Sequence, residues 1–173
     1  LPYPYFIDVR DSGLSSNNVI TNSLNQLTVN WASPIKISSS SENISHNVIV
    51  RSSPKSWLST NENLMPEYEN YPNYGFPEDG EKASYPLAVS FEGTFNSITT
   101  DETFLKEDLE NKFDSDLYLN KSPSNSKLVV ISSNEFANNL SIDFASQAIN
   151  SQYTQPIEFI QNIVDWSVED TSI

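Results

Sequence analysis

Few side chains in this sequence could act as nucleophiles or general bases. His46 is the only histidine and cysteine is absent, so a Ser-His-acid triad would have to use His46 and no thiol is available. No Gly-x-Ser-x-Gly turn, which would expose a nucleophilic serine, precedes any predicted helix. We interpret His46 as a surface histidine between a serine-rich loop and a strand, and we predict no catalytic residue.

Neighbouring carboxylates could bind a cation or act as the two acids of a glycosidase. The pairs are Glu67 with Glu69, Glu107 with Asp108, and Asp114 with Asp116. Their spacing lacks the glycine and the terminal glutamate of an EF-hand loop, so we interpret them as solvated acidic loops and predict no metal site. Glycosidase acids need only be close in space, and no feature of the sequence selects a pair. A hydrolase is therefore the least favoured function.

Glycine is too sparse to form a phosphate-binding loop. Such a loop brings backbone N–H groups to a phosphate through glycines at set spacing. The chain has four widely separated glycines, at positions 13, 75, 80 and 93. We predict no nucleotide and no other cofactor.

A long aromatic loop is the best candidate for binding. Residues 58–84 contain repeated prolines and glycines without a sustained period, which predicts a loop. Tyrosine rings are rigid and amphipathic, which suits protein interfaces and sugars. The candidate binding residues are Tyr68, Tyr71, Tyr74 and Phe76. The alternative is a structural loop held onto the domain by its own rings, and the sequence favours neither.

The charge of the chain excludes one class of partner. The 173 residues carry 23 acids and 9 bases, a net charge of −14. Residues 58–116 hold 14 of the acids and 3 of the bases, and so contribute −11. Such a field repels nucleic acid and anionic lipid surfaces. We predict no nucleic-acid partner and no direct membrane contact from this segment.

Composition also bears on compartment and on domain number. The length suits one domain, residues 1–173, with the long loop at about 58–84. Cytosolic proteins can also lack cysteine, but a cysteine-free acidic domain fits the periplasm or the cell surface at least as well, and we expect an extracytoplasmic location. No apolar run is long enough to span a bilayer, and Leu1 does not begin a leader peptide. Any membrane anchor must therefore come from segments outside this chain.

Short apolar runs predict the strands of the core. β-Branched residues are continuous over 48–50, and further runs that are mainly apolar lie at 87–91 and 128–131. Continuous runs, as opposed to alternating ones, are typical of strands buried on both faces. The N-terminal residues 1–9 are expected to be extended, with a turn at 11–13.

Three helices are predicted. Ser132 and Glu135 have capping-box spacing, which predicts a helix from about Ser133. A short helix is expected over 101–109. Pro156 suits the first turn of a final helix, whose apolar face comprises Ile160, Ile163, Val164 and Trp166. We predict that Ile160, Ile163 and Trp166 are buried. Strands followed by helices indicate an α/β domain, with a mixed or mostly parallel sheet and flanking helices.

Six segments in a fixed order carry a family resemblance. They are YPYF at 3–6, WASPI at 31–35, RSSPKSW at 51–57, PLAVSFEG at 86–93, KLVVI at 127–131 and FIQNIVDW at 159–166. Together they resemble the auxiliary component of gliding-motility-type ABC transport systems. The resemblance covers nearly the whole chain, and the motifs suit architecture: small residues allow close packing, prolines end strands, and tryptophans supply core area.

The resemblance implies a fold, a location and partners. It implies an amidotransferase-like α/β fold without known catalysis, outside the cytoplasmic membrane and followed by a transmembrane helix. Because the chain starts after the family's N-terminal α/β portion, the sheet is expected to be incomplete. The implied partners are the ABC permease and other membrane subunits.

Three functions follow from these observations. The favoured one is a non-catalytic extracytoplasmic accessory domain of a gliding-motility-type ABC transport system. The alternative is a secreted or periplasmic module that binds a solute or glycan, and a hydrolase ranks last. The transported substrate and the oligomeric state are not encoded in any motif.

Overall fold

The computed structural model describes residues 3–38, 43–97 and 119–168. In these residues the strands are β1 (Phe6–Arg10), β2 (Gln26–Asn30), β3 (Ile44–Arg51), β4 (Pro86–Gly93) and β5 (Ser126–Ile131), and the α-helices are α1 (Asn139–Ile149) and α2 (Gln155–Ser167). A single 3₁₀ turn at Asp11–Gly13 confirms the predicted turn. The predicted helix over 101–109 lies outside the described residues.

The strands form two antiparallel sheets. β1 pairs with β2, with Phe6 opposite Asn30, and the second sheet has the order β3-β4-β5. Tyr85, just before β4, accepts a backbone hydrogen bond from Ser52, just after β3. The end of β3 therefore lies beside the start of β4.

The predicted mixed or mostly parallel, amidotransferase-like sheet is wrong. Parallel neighbours need a crossover, usually a helix, between consecutive strands. Among the described residues both α-helices follow all five strands, and β3 leads to β4 through the long loop. The apolar runs suggested a parallel sheet because such strands are buried on both faces. An antiparallel strand covered on both faces has the same pattern.

The chain packs as two compact units. The larger comprises Leu1–Ile37, Val48–Val89 and Val129–Ile173, and the smaller comprises Ser38–Asn47 and Ser90–Leu128. In the smaller unit, Thr94 N donates to Asn43 O at 3.2 Å. His46 lies exposed there, with its ring centroid 6.1 Å from that of Phe91.

The core lies in the larger unit. Its buried members are Val9, Leu14, Ile20, Leu24, Leu27, Val29, Ile49, Val50, Leu87, Ala88, Phe136 and Phe159. Ile49 and Val50 are consecutive in β3 and both fully buried, as are Leu87 and Ala88 in β4. Successive side chains of a strand point to opposite faces, so the prediction of strands buried on both faces is confirmed for β3 and β4.

β5 differs from the prediction. It lies at the edge of the three-stranded sheet, and Leu128 and Val130 are exposed while Val129 and Ile131 are half-buried. This alternation shows that only one face of β5 is covered. The predicted double burial is therefore wrong for this strand, because an apolar run does not show where in the sheet a strand lies.

The first helix begins later than predicted. The side chain of Asn138 caps α1 by accepting a hydrogen bond from Ser141 N at 2.7 Å. Ser133 instead closes a turn, because its hydroxyl accepts from Glu135 N at 3.2 Å and donates to Asn30 O at 2.6 Å. Serine hydroxyls stabilise such turns as readily as helix ends, which explains the misplaced start.

The final helix is confirmed, but its predicted buried face is only partly right. Pro156 lies in the first turn of α2. Phe159 is fully buried, and Ile163 and Trp166 pack against the core, whereas Ile160 and Val164 are exposed. Adjacent helical positions are about 100° apart. The buried face of α2 is therefore shifted by one position from the predicted one, so that Phe159 and not Ile160 faces the core.

Candidate functional site: an uncharged aromatic groove

The long loop is anchored at its base and has no helix or strand between the anchoring residues. Ser56 and Ala83 form an isolated antiparallel bridge, in which Ala83 N donates to Ser56 O at 2.9 Å. The two ends of the loop are thus fixed beside each other. The segment between them belongs to the larger unit.

Backbone hydrogen bonds fold the tip of the loop. Glu67 N donates to Gly75 O at 2.7 Å, and Gly75 N donates to Tyr71 O at 2.8 Å. Gly75 has φ of +76°, and a Cβ there would lie 2.5 Å from Pro66 Cβ. Only glycine fits this conformation and this contact without strain.

The four candidate binding residues have different environments. Tyr71 is 38% exposed, Tyr68 and Tyr74 are half-buried, and Phe76 is 5% exposed. Tyr71, Tyr74 and Phe76 help line a small hollow of about 170 Å³ at the loop surface. Tyr74 also contacts Trp57, with ring centroids 5.4 Å apart.

Phe76 joins an aromatic cluster that the N-terminal segment builds. The cluster consists of Tyr3, Tyr5, Phe6, Trp31 and Phe76, with centroids 5.1–6.3 Å apart. Tyr5 stacks on Trp31 and meets Phe76 edge-on at 5.2 Å. Such offset and edge-on pairs are each worth about 0.5–1.5 kcal/mol beyond burial. The loop is thereby fixed against β1.

Beside this cluster lies a groove of about 180 Å³. Its lining comprises aromatic residues (Tyr5, Trp57, Phe76), prolines (Pro4, Pro34), aliphatic residues (Ile7, Ala32, Leu58) and serines (Ser33, Ser56, Ser59). None of these side chains is charged, although the chain carries a net charge of −14. We call this feature the aromatic groove.

The surface of the aromatic groove is mostly apolar, and its polar side-chain groups are the serine hydroxyls, the Tyr5 phenol and the Trp57 indole N–H. The Ser59 hydroxyl already accepts a hydrogen bond from Asn61 N at 3.2 Å. In the described part of the chain, the buried side-chain atoms without a partner are Asn30 Oδ1 and Ser132 Oγ, and neither residue lines the groove. The groove is therefore a contact surface for apolar groups.

The cation that lies over the Trp57 ring is itself paired. Lys82 Nζ lies 6.0 Å from the Trp57 ring centroid and donates a hydrogen bond to the Glu78 carboxylate. This hydrogen bond raises the pKa of Lys82. The ammonium stays charged at neutral pH and is paired with the Glu78 carboxylate.

The Tyr3 phenol beside the groove remains protonated at neutral pH. Burial raises its pKa, with smaller contributions from Tyr5 and Tyr68. Its hydroxyl donates to Leu64 O at 3.1 Å and so ties the cluster to the loop. This phenol acts as a structural donor, since no feature lowers its pKa toward that of a base.

The carboxylate candidates do not assemble into a reactive centre where the structure describes them. Glu67 accepts hydrogen bonds from the amides of Asn63 at 3.1 Å and Asn70 at 2.8 Å, so it stabilises the loop. The described residues contain no group of three or more His, Cys, Asp or Glu side chains that could hold a metal. The pairs at 107–108 and 114–116 lie outside those residues.

The groove is where three of the six motif segments converge. Pro4 and Tyr5 come from 3–6, Ala32 to Pro34 from 31–35, and Ser56 with Trp57 from 51–57. Over residues 1–163 the chain matches the family described as an ABC-type uncharacterized transport system, auxiliary component. The chain belongs to this auxiliary family. The auxiliary part of the resemblance is thus confirmed.

The family match gives the general role of this auxiliary chain. It is an auxiliary component of an ABC-type transport system and associates with components of that system. Neither curated proteins nor solved structures gave a match to the auxiliary chain. Over the ranges that the structure describes, no helix has the length and apolar character needed to cross a bilayer.

Most residues of the groove are not predicted from the sequence. The loop tyrosines and Phe76 are the predicted binding residues, whereas the segments that contain Tyr5 and Trp57 are interpreted as architecture. Aromatic residues within the motif segments were the available signal. Their convergence on one groove of the auxiliary chain depends on tertiary contacts between distant segments.

Proposed function

We propose that this chain is a non-catalytic, extracytoplasmic accessory domain of an ABC transport system of the gliding-motility type. The observation that supports a contact role is the aromatic groove, which is uncharged and built in part by the motif segments. Aromatic side chains are enriched in the centres of protein interfaces, where they supply most of the binding energy. The domain acts by holding a partner, and the ATPase subunits of the system do the chemical work.

The partner is the permease or another membrane subunit. Family membership supports association with ABC components, and the groove together with Tyr68, Tyr71 and Tyr74 supplies the contact surface. The experiment is purification of the tagged native protein from detergent-solubilised membranes. We expect the permease and the ATPase to co-purify. Their absence under conditions that keep the transporter intact would overturn the proposed role.

The extracytoplasmic location is supported by composition. The chain has no cysteine and a net charge of −14, both compatible with the periplasmic side. Protease added to spheroplasts should cleave the domain while a cytoplasmic control protein stays intact. Protection until the membrane is permeabilised would place the domain in the cytoplasm and contradict this part of the proposal.

The gliding-motility assignment is supported by the six motif segments. Deletion of the gene should abolish spreading of the cells on agar, and the wild-type gene should restore it. A deletion strain that spreads normally would exclude gliding motility, while the co-purification result would still test the accessory role.

A solute- or glycan-binding module is the second candidate. The specific observation in its favour is that Tyr5 and Trp57 line one groove, as aromatic rings do in many sugar sites. Titration with neutral oligosaccharides tests it. Saturable binding in the groove would favour this module over the accessory role.

A further inference from the structure

The size of the aromatic groove limits what it can hold. Its volume of about 180 Å³ corresponds to about six water molecules at liquid density. Pockets that enclose a whole drug-sized ligand are larger, about 300–1,000 Å³. The groove therefore accommodates one or two rings of a ligand whose remainder lies outside.

The polar groups of the groove select the kind of ring. A sugar ring carries several hydroxyls, and each needs a hydrogen-bond partner when it leaves water. The side chains of the groove offer the hydroxyls of Ser33, Ser56 and Ser59, of which that of Ser59 is already engaged by Asn61 N. They also offer the Tyr5 phenol and the Trp57 indole N–H. A proline ring has no N–H donor and makes no such demand. Hydroxyl and indole donors can pair with the carbonyl oxygens of an extended segment, and the proline ring itself needs no partner, so the inventory favours proline over a sugar.

The walls of the groove are held in place before any ligand binds. The Tyr5 ring lies between Trp31 and Phe76, at centroid distances of 5.1 and 5.2 Å. Trp57 packs on Tyr74 at 5.4 Å. Rigid aromatic grooves recognise polyproline II segments, which lose little conformational entropy on binding.

Charge determines what should flank the proline ring. The groove itself is neutral, but the loop that supplies Leu58, Ser59 and Phe76 carries six acids and one base over residues 58–84. That single base, Lys82, is bonded to Glu78. A neutral groove built in part by an acidic loop is complementary to a neutral core with basic flanks.

We infer that the aromatic groove binds a proline-containing, extended segment of a partner protein, flanked by lysine or arginine. This inference rests on the proposed accessory role and names the contact through which that role is performed. Proline rings pack between Tyr5 and Trp57, and the basic flanks lie over the acidic loop.

The direct test uses two peptides. One is an oligoproline flanked by lysines, and the other has alanines in place of the prolines. Binding is followed by chemical-shift changes in the ¹⁵N-labelled chain. We expect saturable shifts centred on Tyr5, Trp57 and Leu58, and at least about fivefold weaker binding of the alanine peptide. No saturable shift, equal binding of the two peptides, or shifts centred elsewhere would overturn the inference.

A pair of matched variants locates the binding. Leu58→Ser changes a groove residue that is 48% exposed, and Leu140→Ser makes the same change on α1 at 63% exposure. Because both side chains are exposed, both variants should fold. We expect Leu58→Ser to weaken peptide binding at least about threefold and Leu140→Ser to leave it unchanged. Equal effects of the two variants would contradict the groove assignment.

A third ligand distinguishes a peptide-binding groove from a sugar-binding one. A neutral glucan oligosaccharide is titrated under the same conditions as the oligoproline peptide. We expect no shift at Trp57 up to concentrations that saturate the peptide. Tighter binding of the oligosaccharide in the groove would overturn the inference in favour of the solute-binding module.

Failure of this inference can be told apart from failure of the proposed function. The native protein and its Leu58→Ser form are compared in the co-purification experiment. If both retain the ABC components equally, the groove is not the contact and the accessory role stands. If the unaltered protein retains none of them, the proposed function fails whatever the peptides do. Loss in the Leu58→Ser form alone supports both.

Discussion

The Tyr5 ring stacks on the Trp31 indole, with centroids 5.1 Å apart and planes inclined by 24°. The backbone joins the same pair, because Trp31 N donates to Tyr5 O at 2.8 Å. Trp31 follows β2 directly and has φ of +55°, a left-handed conformation that is costly for a side chain with a Cβ. The stacking and the hydrogen bond therefore hold a strained residue at the end of the first sheet.

This strain gives the first prediction. Trp31→Ala removes the stacking but keeps a Cβ, so it should lower the free energy of unfolding by about 1–2 kcal/mol. Trp31→Gly also removes the stacking but relieves the backbone, and should cost about 1 kcal/mol less than the alanine variant. Urea unfolding of both variants measures the difference. A glycine variant less stable than the alanine variant would show that the left-handed backbone carries no strain.

The loop glycines provide a second prediction with an internal control. Gly75 and Gly80 both have positive φ, but a Cβ at Gly75 would meet Pro66 at 2.5 Å while nothing lies within 4 Å at Gly80. Gly80→Ala should cost about 1 kcal/mol from backbone strain alone. Gly75→Ala should cost about 1–3 kcal/mol more, because a side chain must also shift. Equal losses in urea unfolding would mean that the tip of the loop does not pack as described.

Two consecutive residues of α2 test which face of this helix is buried. Phe159 is fully buried with its ring 6.0 Å from that of Phe136, whereas Ile160 is 42% exposed. Phe159→Ala should lower the free energy of unfolding by about 3–5 kcal/mol. Ile160→Ala should change it by less than about 1 kcal/mol. A larger loss of stability for Ile160→Ala than for Phe159→Ala, in thermal or urea unfolding, would show that the face predicted from the sequence is the buried one.

The buried Tyr153 phenol makes stability depend on alkaline pH. Burial raises its pKa above the ordinary value, partly offset by the hydrogen bond that its oxygen accepts from Thr28 N at 2.7 Å. Since the folded state favours the protonated phenol, the associated stability is present below about pH 10 and is lost as the pH rises through the raised pKa.

Substitution of Tyr153 isolates this effect. Tyr153→Phe should lower stability at neutral pH by about 0.5–1.5 kcal/mol, because Thr28 N loses its partner. It should also reduce the decline of stability above about pH 10. The measurement is urea unfolding between about pH 7 and 11, with the exposed Tyr71→Phe as control. A variant with the alkaline decline of the wild type would show that ionisation of Tyr153 does not contribute to the loss of stability.

Several features could be determined from the sequence alone because each depends on neighbouring residues or on total charge. The β-branched run at 48–50 identified β3, and Pro156 identified the start of α2. The ordered motif segments identified the auxiliary family. The net charge of −14 argued against nucleic acid as a partner. None of these conclusions requires knowing which segments meet.

Strand pairing, the buried helix face and the groove were decided by the tertiary structure. An apolar run has the same local pattern in a parallel sheet as in an antiparallel one, so strand direction depends on which distant strand pairs with it. The start of α1 depended on Asn138 capping the helix while Ser133 bonded to Asn30 across the fold. The groove exists because Tyr5, Trp57 and Phe76, far apart in the chain, are brought to line one surface. The sequence shows that these residues are aromatic, but they come together only when the whole core is buried.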